Sequence, residues 1–386
     1  MANFKTFLAE KLTDESKLTH LEHVEDHVIH SGEAGFAHAF HNLQDVHHHL
    51  TGGSNDTRIT TKYDGSPSIV FGYHPENGKF FVGSKSVFNK DPKINHTAKD
   101  IQANHGHAPG LVKKLNSALK HLPKVTPKGG VYQADIMHTL GDVKREGNDV
   151  HFTPQLLTYK VPHNSEHGAK ALNSHIGIAV HTKYNGKTLS DMKAEYAPET
   201  EDFNDHDDVH VVHTKKDIGK VSYTLSDQAE YKKHLDDAVN HFKAAKSGVF
   251  EHGQKHHENI KQYINHTMRT GTDYSHDHFL EFRKMKHTQG IGKVKTDAAK
   301  TRKTAAMNAE LKHHTQNKEH LDHLMKLHSS LQGAKNVLTR ALSTHNDMKT
   351  EIQGTESKGE GFVVVKNNRP SKFVDRREFS AANFNK

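Results

Sequence analysis

The chain has 386 residues and no cysteine. Disulfides and thiolate metal sites are therefore excluded, and the composition fits a reducing compartment. No apolar run approaches the length of a membrane-spanning helix. The opening Met1-Ala2-Asn3-Phe4-Lys5 lacks the apolar core of a secretory leader, so a cytoplasmic protein without a membrane partner is expected. No G-x-S-x-G elbow, H-E-x-x-H helix or Walker A string occurs. Serine-hydrolase, zincin and P-loop chemistries therefore have no support.

What is abundant is charge and histidine. Charged residues make up 26% of the chain and apolar residues 33%, with a net charge of +7 and 38 histidines. An unperturbed histidine titrates near pH ~6.5, so mild acidification is expected to make the chain far more basic. A basic balance favours polyanionic partners, nucleic acid first. His20, His23, His27 and His30 fall on one helical face, His47, His48 and His49 are consecutive, and His313-His314 are adjacent. Histidine is scattered through every region, which argues for a bias of composition rather than one metal site.

Periodicity divides the chain into four segments. Over 1–55, Leu18, Leu21, Val24, Val28 and Ile29 recur at helical spacing, Gly32 gives a stop, and Phe36, Phe40, Leu43, Val46 and Leu50 resume the stripe. Over 56–225, strand-like runs occur at 59–61, 68–71, 80–82, 131–136, 156–159, 176–180, 209–213 and 221–223, separated by turns such as Glu76-Asn77-Gly78. This region reads as α+β and rich in antiparallel strands. Over 226–350, stripes such as Tyr231, Leu235, Val239 and Phe242, or Leu321, Leu324, Leu331 and Leu338, predict helices. Ser226 is the expected first N-cap, and a loose link is expected near Gly290-Ile291-Gly292. Over 351–386 strand character returns. The all-α segment is thus expected to be an insertion between two parts of one β-rich domain.

Lys62-Tyr63-Asp64-Gly65 stands between two strand-like runs. On its own, Asp-Gly in that setting is a hairpin corner. Three downstream stretches, in this order, change its meaning: Gln133-Ala134-Asp135-Ile136, then Glu360-Gly361-Phe362-Val363-Val364-Val365-Lys366, then Lys372. A lysine amine attacks phosphorus only when unprotonated, and its free pKa is about 10.4. Neighbouring cations and a metal lower that value. Lys366, Lys372, Arg376 and Arg377 are candidate neighbours and phosphate clamps. Asp135 and Glu360 supply hard oxygen ligands suited to Mg²⁺, and Gly65 lets backbone approach a nucleotide closely.

These residues resemble the covalent nucleotidyltransferase superfamily of ATP-dependent DNA ligases, RNA ligases and mRNA capping enzymes, nearest the RNA-ligase branch. The stretch from His20-Leu21-Glu22 through Phe88-Asn89-Lys90 also looks like uncharacterised ligase-like proteins of large tailed bacteriophages. The resemblance covers 56–225 and 358–386. It implies an antiparallel-sheet nucleotidyltransferase core, ATP and Mg²⁺ as cofactors, and a lysyl-AMP on Lys62. It implies nucleotide contacts from Asp64, Gly65, Lys85, Asp135, Glu360, Lys366 and Lys372, with Asp135 and Glu360 also at the metal. It further implies RNA or DNA ends as substrate and the cytoplasm of an infected bacterial host as location. Lys85 stands where the family has arginine, Asp135 where it has glutamate, and Phe373-Val374 follow Lys372 in place of a second lysine. The chain ends soon after Lys372, so no C-terminal OB domain is expected, and the helical insertion would take the substrate-binding part. The basic run over 283–303 is expected to track a phosphate backbone through Lys284, Lys293, Lys295 and Arg302. Protein AMPylation and capping-like GMP transfer share the first step. The alternative from another class is a non-catalytic nucleic-acid-binding or virion-associated protein on a degenerate ligase-like core.

Overall fold

The computed structural model describes residues 21–200 and 202–380; Leu18 and His20, which the periodicity assigns to a helical stripe, lie outside them. In chain order, β1 (Glu22–His23) and α1 (His27–Leu50) precede β2 (Arg58–Thr61), β3 (Ser68–Tyr73), β4 (Phe80–Gly83), α2 (Ala98–His105) and α3 (Pro109–His121). Next come β5 (Val131–Thr139), β6 (Lys144–Glu146), β7 (Asp149–Phe152), β8 (Thr158–Pro162), α4 (Glu166–Asn173), β9 (Ile176–Asn185), β10 (Lys193–Tyr196) and β11 (Val209–Val212). Six helices follow: α5 (Leu225–Lys243), α6 (Val249–Lys255), α7 (His257–Thr270), α8 (His276–Gly292), α9 (Asp297–Gln316) and α10 (Lys318–Leu342). The strands β12 (Lys349–Ile352), β13 (Thr355–Ser357), β14 (Phe362–Lys366) and β15 (Arg369–Phe373) return to the sheets.

The strands form three sheets, and the fold is mixed α/β with mainly antiparallel pairing. Sheet I has the order β1-β15-β14-β2 and joins early chain to late chain, with Thr61 opposite Phe362. Sheet II runs β10-β9-β5-β3-β4, with β11 parallel to the first half of β9. Its register sets Asp135 between Ser68 and Ala179. Sheet III runs β13-β12-β8-β7-β6.

Local chemistry explains where these elements begin and end. Helix α1 is interrupted at Gly32, whose φ of 57° and ψ of −131° favour glycine. Helix α5 starts one residue after Thr224, not at the expected Ser226. The Thr224 hydroxyl accepts from Asp227 N at 3.1 Å while the Asp227 carboxylate accepts from Thr224 N at 3.0 Å, a reciprocal capping box. The expected strand 221–223 is not one. Ser222 N–H donates to the Thr344 hydroxyl at 2.7 Å and the Tyr223 hydroxyl bonds to His47 Nδ1 at 2.8 Å, so side chains take the place of a ladder. The expected link at 290–292 is still helix, and the break falls after Gly292.

The α10 stripe is buried as its spacing predicts, but its partners are wider than one helical bundle. Leu321, Leu324, Leu331 and Leu338 share a single core with Phe36 and Leu43 of α1 and with Phe362, Val364 and Phe373 of sheet I. Each such side chain contributes roughly 1.5–3 kcal/mol on burial. The helices thus brace the back of the sheet that carries residues 58–61, just before Lys62. Among the described residues no helix is long and apolar enough to cross a membrane.

Candidate active site

Lys62 leaves the end of β2 and immediately changes sheets. Strand β2 pairs with β14 in sheet I, whereas β3 pairs with β4 and β5 in sheet II. Residues 62–67 are therefore a crossing between two sheets and not a hairpin corner. Lys62 N–H donates to Gly361 O at 2.8 Å. Gly361 has a φ of 126°, and a Cβ there would stand 2.5 Å from Phe373 O, so this close approach requires glycine. The contact sets Glu360 beside Lys62, and their side chains form an ion pair.

The two sheets meet around a cavity of about 290 Å³, at the small end of ligand sites. Lys62, Lys85, Asp135, His181 and Lys372 all line it. Glu360 lies behind Lys62, in a narrower cleft that shares Lys62 with the cavity. Burial pushes the Glu360 carboxyl above the usual range, against the opposing pull of Lys62. Burial, then the neighbouring Lys62 charge, brings the Lys372 ammonium down to about 8. Burial acts to raise Asp135, but His181, Lys62 and Ser68 together hold it below its ordinary value. Both acids therefore face the Lys62 charge. Glu360 Oε2 is buried and has no hydrogen-bond partner among the described residues.

Several expected roles change. Asp64 does not line the cavity. Its carboxylate accepts from Leu156 N at 2.7 Å and Leu157 N at 3.0 Å, and its own N–H donates to the Tyr159 hydroxyl at 2.7 Å. It ties the Lys62 crossing to sheet III, and it also explains why the expected strand at 156–159 begins only at Thr158. Gly65 serves a close approach of a different kind. A Cβ there would lie 2.6 Å from Asp135 Cβ, so the glycine makes room for the acid and not for a nucleotide. Lys366 is on the wrong face. Strand side chains alternate: Val363 lines the cavity, whereas Phe362 and Val364 enter the helical core. Lys366 follows the latter face and pairs with Asp45 of α1.

Lys284, Lys293, Lys295 and Arg302 are exposed on the α8–α9 hairpin and line no part of the cavity. Arg283, in the same basic run, is spent on Glu310 at 2.7 Å.

Sequence patterns do not single out His181. Its Nε2 is 3.6 Å from Asp135 Oδ1. The pairing of β5 with β9 passes from Gln133↔Thr182 to Ala134↔Val180, which leaves His181 as the extra residue of a β-bulge. A bulge re-aims a side chain and breaks the two-residue alternation that sequence reading relies on. Gln133 shows in the sequence only as part of a strand. It donates to the Ser68 hydroxyl at 2.8 Å and accepts from the Tyr184 hydroxyl at 2.6 Å, forming a polar wall of the cavity. A second groove of about 750 Å³, with Arg58, Lys215 and Lys216, shares Thr60, Ala197 and Thr214 with the first.

No curated protein and no solved structure matches the chain. A family model matches residues 18–386. By that match the chain belongs to DUF6267, a family of unknown function.

Proposed function

We propose that the protein is an ATP-dependent nucleotidyltransferase of the polynucleotide-ligase kind that works through a lysyl-AMP on Lys62. The observation that carries this reading is the convergence of Lys62, Lys85, Asp135 and Lys372 on one cavity, with Glu360 paired to the reactive lysine. The neutral Lys62 amine attacks the α-phosphorus of ATP. An N–P bond forms, the bond to the bridging oxygen breaks, and pyrophosphate leaves with the electron pair. Glu360, the ion-pair partner, takes the ammonium proton that leaves before Lys62 is neutral, and the proton lost from nitrogen on N–P bond formation departs with pyrophosphate. Lys85 and Lys372 neutralise the phosphates. Asp135 and Glu360 are hard oxygen donors, and the unpartnered Glu360 Oε2 fits a Mg²⁺ ion, which supplies further charge neutralisation when bound. A 5′-phosphate end then displaces Lys62 from the AMP phosphorus, and a 3′-hydroxyl displaces AMP to seal the strand. The antiparallel sheets are read as the ligase-like core, with 226–350 as the helical insertion that meets RNA or DNA through Lys284, Lys293, Lys295 and Arg302.

The engagement of Lys366 by Asp45 favours one second reading, a nucleic-acid-binding protein on a core that has lost catalysis. One experiment separates the two. Purified protein, stripped of any prior adduct, is incubated with Mg²⁺ and α-labelled ATP or GTP and run under denaturing conditions. Covalent label in the wild type, absent in Lys62→Ala and Glu360→Gln, is the expected result and also names the base. A folded wild type that takes no label from either nucleotide overturns the enzyme reading.

A further inference from the structure

Three groups of side chains among the described residues have ligand atoms close enough to share one ion: His121, His175 and Asp208; Glu25, Asp26 and His328; and His252, His256 and His313. In the first two a protein cation already occupies the carboxylates. Lys124 pairs with Asp208, and Lys335 and Arg376 pair with Glu25 and Asp26. The third holds only imidazoles.

We propose that His252, His256 and His313 form a site for a transition-metal ion of the zinc type. Their ligand atoms lie within 4.8 Å of one another. His256 Nε2 and His313 Nε2 are 3.1 Å apart. Two nitrogens on a tetrahedral ion, each bonded at about 2.05 Å, are separated by about 3.3 Å, so this pair already stands at ligand spacing. His252 is only 5% exposed, and its Nε2 has no hydrogen-bond partner. Buried polar atoms are almost always partnered, and an ion at the cluster supplies that partner. His314, fully buried, with Nε2 3.8 Å from Glu310 Oε1 and Nδ1 without a hydrogen-bond partner, packs 4.7 Å from His256 between ring centroids and extends the imidazole shell.

The position gives the ion a job. His256 is the joint between α6 and α7, and His313 sits in the last turn of α9 before the joint to α10. An ion there ties the root of the α8–α9 hairpin, which carries the basic run, to the rest of the helices. The sequence holds the trace of half of this site as His252-Gly253-Gln254-Lys255-His256, two histidines four apart on one helical face.

The test uses the full chain dialysed against EDTA and titrated with Co²⁺. One tight equivalent with the intense visible bands of four-coordinate Co²⁺, displaced by one equivalent of Zn²⁺, is expected. His256→Asn and His313→Asn, each half-buried and measured separately, lose that equivalent, whereas His107→Asn at an exposed position keeps it. A second arm needs no variant. One equivalent of Zn²⁺ protects His256 and His313 of the wild type from diethyl pyrocarbonate, mapped by peptide mass, while His107 stays reactive. Retention of the tight equivalent in folded His256→Asn and His313→Asn overturns the site, and so does equal modification of His256 and His313 with and without Zn²⁺.

Discussion

Among the lysine–glutamate pairs that join distant parts of the chain, Lys335–Glu25 and Lys62–Glu360 differ most usefully in what surrounds them. Lys335 reaches Glu25 at 2.9 Å with both side chains wholly buried, and it also donates to Val374 O at 2.8 Å. Arg376 adds a bond to Asp26 at 2.7 Å, and His328 another at 2.9 Å. Lys62 and Glu360 remain 22% and 13% exposed, and Lys62 opens on a cavity. An orphaned carboxylate oxygen occurs in both places, on Glu25 and on Glu360, so that feature does not tell them apart. Access does. The first pair is enclosed by its own counter-charges and acts as a clamp. The second has like-charged neighbours in Lys85 and Lys372 and room for an anion between them.

The most forceful way to break this contrast is to truncate both lysines. Lys335→Ala leaves Glu25 in a dry interior with Arg376 at 3.7 Å as its remaining counter-charge and is expected to lower the unfolding free energy by about 3–5 kcal/mol. Lys62→Ala, beside a cavity that water enters, is expected to cost less than about 2 kcal/mol. Urea unfolding followed by circular dichroism measures both, and equal losses sink the distinction. A smaller effect sharpens the role of Gly65. Its missing Cβ leaves room for Asp135, so Gly65→Ala should cost about 1–3 kcal/mol through overpacking and deform the cavity wall. Gly141→Ala, where a Cβ meets only the Lys113 ammonium at 3.7 Å, should cost under about 0.5 kcal/mol. The gentlest probe is pH. Lys372 in the fold titrates at about 8, below the ordinary lysine value, so its charge is present below that pH and lost above it. Affinity for an unreactive ATP analogue should therefore fall by up to about tenfold per unit above that point. Over the same window, up to about 10.4, the unfolded chain holds the proton that the folded chain has released, so this group makes stability rise with pH. Titration calorimetry and thermal melting thus move in opposite directions, and Lys372→Met flattens both trends. Parallel trends would refute the assignment.

Much of this arrangement is legible in the sequence because it rests on short-range rules. The strands at 68–71, 80–82, 131–136 and 176–180 come from runs of β-branched and aromatic residues between turns, and the α10 stripe from its helical period. Gly361 is legible as part of a motif, and its left-handed φ explains why the motif needs it. The features that escape are those set by partners far away in sequence. Asp64 is indistinguishable in the sequence from a ligand-binding acid until Leu156 and Leu157 are seen to bond it. Lys366 has the look of a site lysine, but one step of strand alternation sends it to Asp45. His181 is hidden by a bulge, which alternation cannot foresee. The histidines suggest a reserve of positive charge, which the fold in part withholds. Burial holds His27 at about 3 and His138 at about 4, so these stay neutral under mild acid for as long as the fold persists.

Sheet I sets β2 against β14 and β15, so Thr60 meets Val363 across 303 positions of chain. On a ribosome, Lys62 emerges long before the strands that carry Glu360 and Lys372. At about 5–20 residues per second, the delay is on the order of 15–60 s. During that interval the lysine has neither its counter-ion nor its cavity, so the site exists only once the chain is nearly finished.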